Sequence, residues 1–305
     1  MNDTRTHPTC AGCGSGVLRF FLEAFDAQGR PHAVVRCRVC RLAQVPELPT
    51  PSELAAFYSR YSYDDERAWE STPATERSLD RLAHRLERYR RNGRLLDVAC
   101  GSGILMRAMR RHGWTAEGTE LSDAAVDRLR REGLTLHRGA LEDLELERDA
   151  YDVLVLSETI EHLRDPRAML GFVARALRPG GALYLTTPNI DSLSRRLLGA
   201  RWRVLSFPDH LFYFNPRSIR VLLRGAGLSP VAVWTEAINP YALLPVGRAE
   251  GPGGEDQAES RGECLRRVTV TSPTYSLLKV VANGLLRSLH LGDTLKALAE
   301  KRPPP

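Results

Sequence analysis

Residues 95–103 read Leu95-Leu96-Asp97-Val98-Ala99-Cys100-Gly101-Ser102-Gly103. An apolar strand pattern runs into a loop of small residues, and a helical pattern at Ile104–His112 follows. Glycines in such a loop let the main chain approach a ligand closely, and the helix start presents free N–H groups. Several nucleotide-binding classes use a loop of this kind. The dinucleotide fingerprint Gly-x-Gly-x-x-Gly fails here, because Met106 stands where the third glycine belongs. The loop also lacks the lysine of a P-loop.

From Gly93 strand and helix patterns alternate, which predicts a parallel sheet with crossover helices. Strands are expected at Leu95–Ala99, Thr115–Thr119, Thr135–His137, Val153–Leu156, Ala182–Thr186 and Val231–Thr235. Helices fit Ile104–His112, Asp123–Glu132, Pro166–Leu177 and Arg217–Ala226, and Gly113, Gly133, Gly180 and Gly227 follow them. Glycine is favoured there by left-handed C-caps. Ahead of this block, a helix over about Thr75–Arg91 carries Leu79, Leu82, Leu86 and Tyr89 on one face, a core stripe. Behind it, the Gly-, Glu- and Pro-rich residues 246–263 predict a mobile loop, Pro273–His290 an amphipathic helix, and Thr294–Lys301 a final strand at the sheet edge.

Motifs fall on this frame in a fixed order. Seventeen residues past Gly103, Glu120 ends the second strand in Gly118-Thr119-Glu120-Leu121-Ser122, where a carboxylate can accept both hydroxyls of a ribose. Then come Tyr151-Asp152-Val153-Leu154-Val155, Glu161-His162-Leu163-Arg164-Asp165-Pro166, Leu177-Arg178-Pro179-Gly180-Gly181, Thr187-Pro188-Asn189 and His210-Leu211-Phe212-Tyr213-Phe214.

Over about residues 93–236 this set resembles the class I S-adenosylmethionine (SAM)-dependent methyltransferases, more narrowly a small-molecule subfamily with His-x-x-Tyr-Phe after the fifth strand. The resemblance implies a Rossmann-like, seven-stranded α/β sheet with an antiparallel last strand, which suits Thr294–Lys301. It implies that Asp97, Ala99, Gly101 and Gly103 form the loop receiving the methionine part of the cofactor. Glu120 would bind the ribose, and Leu121 would pack on adenine. Leu141 and Glu142 lie in the adenine segment Gly139–Asp143, in which Ala140 replaces an acid common in the family. Ser157 would lie near the sulfonium.

Six cysteines are present. Cys10, Cys13, Cys37 and Cys40 form two Cys-x-x-Cys pairs 23 residues apart, while Cys100 and Cys264 stand alone. Two such knuckles supply four thiolates at tetrahedral spacing, the pattern of a zinc ribbon. Strand-like stretches at Val17–Leu22 and Ala33–Arg36, with a turn at Gln28–Pro31 between them, complete a small β-rich module. The domain plan expected is therefore a ribbon at 1–46, a linker and cap helices at 47–92, a SAM-binding catalytic domain at 93–236 and an extension at 237–305.

The net charge of +6 invites a nucleic-acid partner. Its distribution argues against one: lysine occurs only at Lys279, Lys296 and Lys301, and the arginines alternate with acids along helix faces. Met1–Thr9 is polar, with no signal-peptide core, and no apolar run approaches the roughly 18–20 residues of a membrane span. A cytoplasmic protein that does not engage membranes is the expectation.

Methylation of a hydroxyl or carbon acid needs a base, and histidine titrates near neutrality. His162 follows Glu161 at the end of the fourth strand, the side on which open α/β sheets bind ligands. His210 opens His-x-x-Tyr-Phe and follows Asp209, as in the nucleotide-sugar C-methyltransferases, which also carry an N-terminal ribbon. Those enzymes have a tyrosine where Phe207 stands, and a long C-terminal domain that has no counterpart here. His210 is therefore expected to be the base and His162 to line the pocket. The function expected is O- or C-methylation of a small-molecule acceptor, a metabolite or sugar. The alternative is an RNA methyltransferase that binds RNA through the ribbon.

Overall fold

A computed structural model describes residues 9–26, 28–58, 71–144, 146–238 and 284–302. The central strand β4 (Arg94–Val98) has parallel neighbours on both sides, β5 (Thr115–Glu120) and β7 (Tyr151–Ser157). Beyond them lie β6 (Thr135–Arg138) on one flank and β8 (Leu177–Pro188) on the other. β11 (Thr294–Lys301) then pairs antiparallel with both β8 and β10 (Leu228–Glu236). The order β10-β11-β8-β7-β4-β5-β6 is the expected seven-stranded mixed sheet.

Side-chain alternation divides the core between the two sheet faces. Leu95, Val153, Val155, Ala182 and Tyr184 face one layer; Leu96, Val98, Leu154, Leu156, Leu183 and Leu185 face the other. The first layer is filled by α2 (Pro73–Leu86) with Leu82 and Leu86, α3 (Ile104–Arg111) with Met106 and Met109, and α4 (Asp123–Arg131) with Val126 and Leu129. The second is filled by α5 (Pro166–Ala176) with Leu170 and Val173, and α7 (Pro216–Gly225) with Ile219 and Leu222. A leucine buried to this degree contributes about 1.5–3 kcal/mol, which makes these stripes the main tie between helices and sheet. Caps set the helix starts: Ser122 for α4, Asp165 before Pro166 for α5, and an Asn215–Ser218 capping box for α7.

Near the amino end, β1 (Leu18–Phe25) and β2 (Pro31–Cys37) form an antiparallel hairpin with a bulge at Phe20/Leu22. A two-residue β3 (Ala43–Gln44) joins β2. The fourth strand of this small sheet comes from far along the chain. β9 (Phe212–Tyr213), inside His-x-x-Tyr-Phe, pairs Ala43 with Tyr213 and Gln44 with Phe212. The helix α1 (Pro51–Tyr58) follows β3 in the chain, and a short α6 (Leu193–Leu198) follows β8.

Strand positions agree with the sequence patterns, with β11 at the predicted limits; it is not the edge strand expected, because β10 pairs along its outer side and itself forms the edge. β8 is the largest departure: it begins directly after α5 at Leu177 and runs twelve residues. Residues 284–288 are helical, but the rest of the expected helix and the expected mobile loop lie outside the described residues. No helix among the described residues is long and apolar enough to cross a membrane.

Candidate active site

The site is built where β4, β5, β7 and β8 end on one side of the sheet. Its first half is the turn from β4 into α3. Ala99, Gly101 and Gly103 all have positive φ, +55°, +52° and +69°. A Cβ at Gly101 would meet nothing within 4 Å, so the loop is open on that side. At Gly103 a Cβ would lie 2.8 Å from Leu129 Cδ2, so a larger residue there would have to displace the end of that side chain as well as adopt a positive φ.

Two carboxylates frame the open loop. Glu120, 7% exposed, accepts Gly101 N–H on Oε2 at 2.9 Å and Leu121 and Ser122 N–H on Oε1 at 2.8 and 2.9 Å. These three bonds fix the carboxylate and leave lone pairs for further donors. Asp97 is 3% exposed, and burial with the nearby Glu120 charge pushes its carboxyl up to about 7. The same burial, with both acids nearby, raises the Cys100 thiol and keeps it neutral. Leu121, by contrast, is 69% exposed, an apolar side chain presented to solvent beside Glu120. The donor set therefore fits SAM: acids for an ammonium and for ribose hydroxyls, an apolar face for a base. Ser157, at the end of β7, is exposed, with Oγ 3.3 Å from Thr186 Oγ1. Leu141 is buried in the core cluster rather than presented to a ligand. The Glu142 side chain lies outside the described residues.

The second half follows β7. Glu158, at φ +49°, is exposed by area yet ringed closely enough that burial raises its carboxyl. Glu161 is 1% exposed and pushed up to about 8 by burial and the Glu158 charge. Thr187 Oγ1 donates to Glu161 Oε2 at 2.9 Å, while Oε1 is buried with no hydrogen-bond partner. The Glu161 main-chain oxygen accepts Leu211 N–H at 2.9 Å and Phe212 N–H at 3.2 Å, which brings His-x-x-Tyr-Phe onto the end of β7.

Both histidines arrive here. His162 Nδ1 donates to the Asp209 main-chain oxygen at 2.8 Å and lies 3.0 Å from Asp209 Oδ1. Despite burial, the carboxylates of Asp209 and Glu161 leave His162 more basic than usual. His210 Nδ1 donates to Val204 O at 2.8 Å, and its Nε2 is 3.7 Å from Asp209 Oδ2. Burial and the His162 charge depress His210 to about 4. Both rings are thus fixed through Nδ1, leaving Nε2 as the available atom. One donor atom from each of Glu161, His162 and His210 lies within 4.8 Å of the others, close enough for one hydroxyl to touch all three.

The sequence pointed to His162 and His210 but not to Glu158 or Glu161 as site groups. The signal was present in Glu158-x-x-Glu161-His162 directly after a strand end.

A separate cluster joins Cys10, Cys13, Cys37 and Cys40, whose sulfurs all lie within 4.8 Å of one another. Cys10 Sγ is 3.3 Å from Cys40 Sγ, and Cys13 Sγ is 3.6 Å from Cys37 Sγ. A tetrahedron with Zn–S bonds of about 2.3 Å has edges of about 3.8 Å, so the four sulfurs suit a zinc ion. The Cys10–Cys40 contact draws Cys10 down to about 5 and pushes Cys40 upward, one thiol keeping its proton to hydrogen-bond the other.

Comparisons with known proteins bear on the family and the fold. The profile of the methyltransferase-domain family matches residues 67–233, more than half of the chain. A ubiquinone biosynthesis O-methyltransferase of Cereibacter sphaeroides is 33% identical over 161 residues, covering 49% of this chain and 65% of that protein. The chain thus spans about two thirds of that relative's length. Among solved structures, phosphoethanolamine N-methyltransferase 2 of Haemonchus contortus, in complex with SAM, has a TM-score of 0.54 at 16% identity. The match covers 94% of this chain and 69% of that one. The Burkholderia thailandensis 1,6-didemethyltoxoflavin-N1-methyltransferase, with bound S-adenosylhomocysteine, has a TM-score of 0.51 at 16% identity, covering 93% and 100%. These two likenesses establish the fold.

Proposed function

Because the chain belongs to the methyltransferase-domain family, we propose that it moves the methyl group of SAM to an oxygen of a small-molecule acceptor. In this reading zinc occupies the four-cysteine ribbon. The observation that carries it is the meeting of two halves at the strand ends. The Asp97–Gly101–Glu120 loop suits the cofactor, and Nε2 of His162 and His210 beside the buried Glu161 suits an acceptor hydroxyl. The relatives named for ubiquinone biosynthesis O-methylation support oxygen as the atom methylated.

Asp97 takes the ammonium of the methionine part, Glu120 the ribose hydroxyls, and Leu121 packs on adenine. Gly101 and Gly103 let the main chain close on the ligand, and Ala99 and Ser157 border the sulfonium. Bound SAM supplies an electrophilic methyl on a positively charged sulfur. Transfer breaks the methyl–sulfur bond, leaves its electron pair on sulfur and forms the methyl–oxygen bond. What the protein adds is alignment, exclusion of water and removal of one proton.

That proton goes from the acceptor hydroxyl to His162 Nε2. We infer this in place of the expected base His210 because Asp209 lies against His162, 3.0 Å from Nδ1, where it supports an imidazolium. His210, neutral at physiological pH, orients the acceptor. Supplying methyl-labelled SAM with the small-molecule and RNA fractions of a cell extract tests the reading. Label is expected in the small-molecule pool as an alkali-stable methyl ether, whereas label in RNA would select the alternative acceptor.

A further inference from the structure

The ribbon and the acceptor half form one hydrogen-bonded body. Gln44 is fully buried, and its side chain holds the first knuckle: Oε1 accepts Ala11 N–H at 3.0 Å and Nε2 donates to Thr9 O at 3.1 Å. Its main chain pairs with Phe212, and the next residue, Val45, donates to Leu211 O at 3.0 Å. The second knuckle is joined to the same segment. Cys37 N–H bonds Leu42 O at 2.9 Å, and Arg41 O, one residue past Cys40, accepts Asn215 Nδ2 at 2.9 Å.

The hairpin grips the same segment from its other end. Phe207 N–H donates to Phe25 O at 3.2 Å, Phe25 N–H donates to Leu205 O at 3.3 Å, and His32 stacks on Phe207 with ring centroids 3.9 Å apart. Arg36 Nη2 adds an ion pair, donating to both carboxylate oxygens of Asp191 at 2.6 and 2.8 Å, just past β8. Residues 205–213, which carry Asp209 and His210, are therefore held from both ends by the ribbon. The cofactor loop is built differently: Ala99, Cys100 and Gly101 bond to Thr119 and Glu120 of β5.

We propose that the four-cysteine ribbon positions the acceptor half of the active site, with Gln44 as the positioning residue that links metal to site. Metal drawn to Cys10, Cys13, Cys37 and Cys40 fixes both knuckles. Gln44 passes that order to β3, β3 passes it to β9, and β9 holds Asp209 and His210 against His162. The knuckles run from Cys10 to Cys40 and their sulfurs meet at one point, so metal binding adds folding energy to the burial that already joins them to the core. The inference rests on zinc occupying the ribbon and predicts that zinc controls one half of the site and spares the other.

The test is amide hydrogen exchange on the full chain, zinc-loaded and zinc-stripped, with SAM titrated into both. Zinc removal is expected to speed exchange in peptides covering 205–213 by about tenfold or more, leave peptides covering 94–122 unchanged, and alter SAM affinity less than twofold. Equal exchange at 205–213 in the two forms overturns the inference while leaving zinc occupancy intact. A chain that takes up no zinc overturns both. Gln44→Leu decides the matter where the stripped chain does not fold. It removes the two knuckle bonds without touching a ligand, so faster exchange at 205–213 with zinc and melting temperature retained supports the path. Exchange at the wild-type rate refutes it.

Discussion

The imidazoles of His162 and His210 meet edge to face with ring centroids 4.7 Å apart, and the Asp209 carboxylate lies closer to the first than to the second. His162 is therefore the stronger base, and His210 is held neutral beside it. His162→Ala is expected to lower turnover by about 10²- to 10⁴-fold, the usual worth of general-base catalysis, with SAM affinity unchanged. His210→Ala is expected to cost less in turnover and to raise the acceptor KM. Single-turnover rates with the identified acceptor check this. An active His162→Ala beside a dead His210→Ala would reverse the assignment.

In the proposed site, Asp97 is expected to give SAM binding a pH dependence. Its carboxyl, raised to about 7, is mostly protonated below that value in the ligand-free chain, whereas an ammonium ligand needs it ionised. Binding below pH 7 thus releases a proton, and affinity is expected to rise by up to about tenfold per unit between pH 5 and 7, then level. Above about 8 the amine of SAM itself deprotonates and affinity falls again. Stability of the ligand-free fold has the opposite slope. Between the unfolded carboxyl value near 3.9 and 7 the native state holds more protons than the unfolded state, so this group's contribution falls as pH rises. Titrations across this range, with Asp97→Asn as the flat control, test both signs.

One zinc per chain is expected from elemental analysis, with Cys100 dispensable for retaining it. Cys37→Ser should release the metal and lower the melting temperature of the ribbon. Metal-free protein with an ordered ribbon would contradict the ligand set.

Gly103→Ala should destabilise the fold by about 1–3 kcal/mol, because φ of +69° is strained for alanine and the new methyl runs into Leu129. Gly101→Ala carries only the φ penalty, since no atom lies within 4 Å of a Cβ there. Its larger effect should fall on SAM affinity. Urea denaturation and SAM titration of the two variants separate these outcomes.

Local patterns made most of the sheet legible: β4, β7 and the buried part of β8 read as apolar runs, whereas the alternation of Thr294–Lys301 suggested an edge strand and the chain places it inside the sheet, between β8 and β10. The loop proposed for the cofactor folds where the sequence put it, with Asp97, Gly101 and Glu120 meeting at the ends of β4 and β5 with a helix behind. Long-range pairing was not legible. Phe212–Tyr213 is a two-residue strand with no period to detect, and its partner lies some 170 residues earlier at Ala43–Gln44. The Asp209–His162 contact spans 47 residues and depends on how the Val204–His210 loop turns back. Leu141 illustrates a motif position read for a ligand contact where the fold uses the side chain for core.

Calorimetric titration of SAM into wild-type protein and Glu120→Ala tests the central claim most directly, that residues 97–121 form a SAM site. One equivalent is expected to bind the wild type. Affinity should fall in Glu120→Ala by about 1.5–3 kcal/mol, the worth of hydrogen bonds to a charged group. Wild-type protein that binds no SAM, or a Glu120→Ala variant with unchanged affinity, would contradict the account.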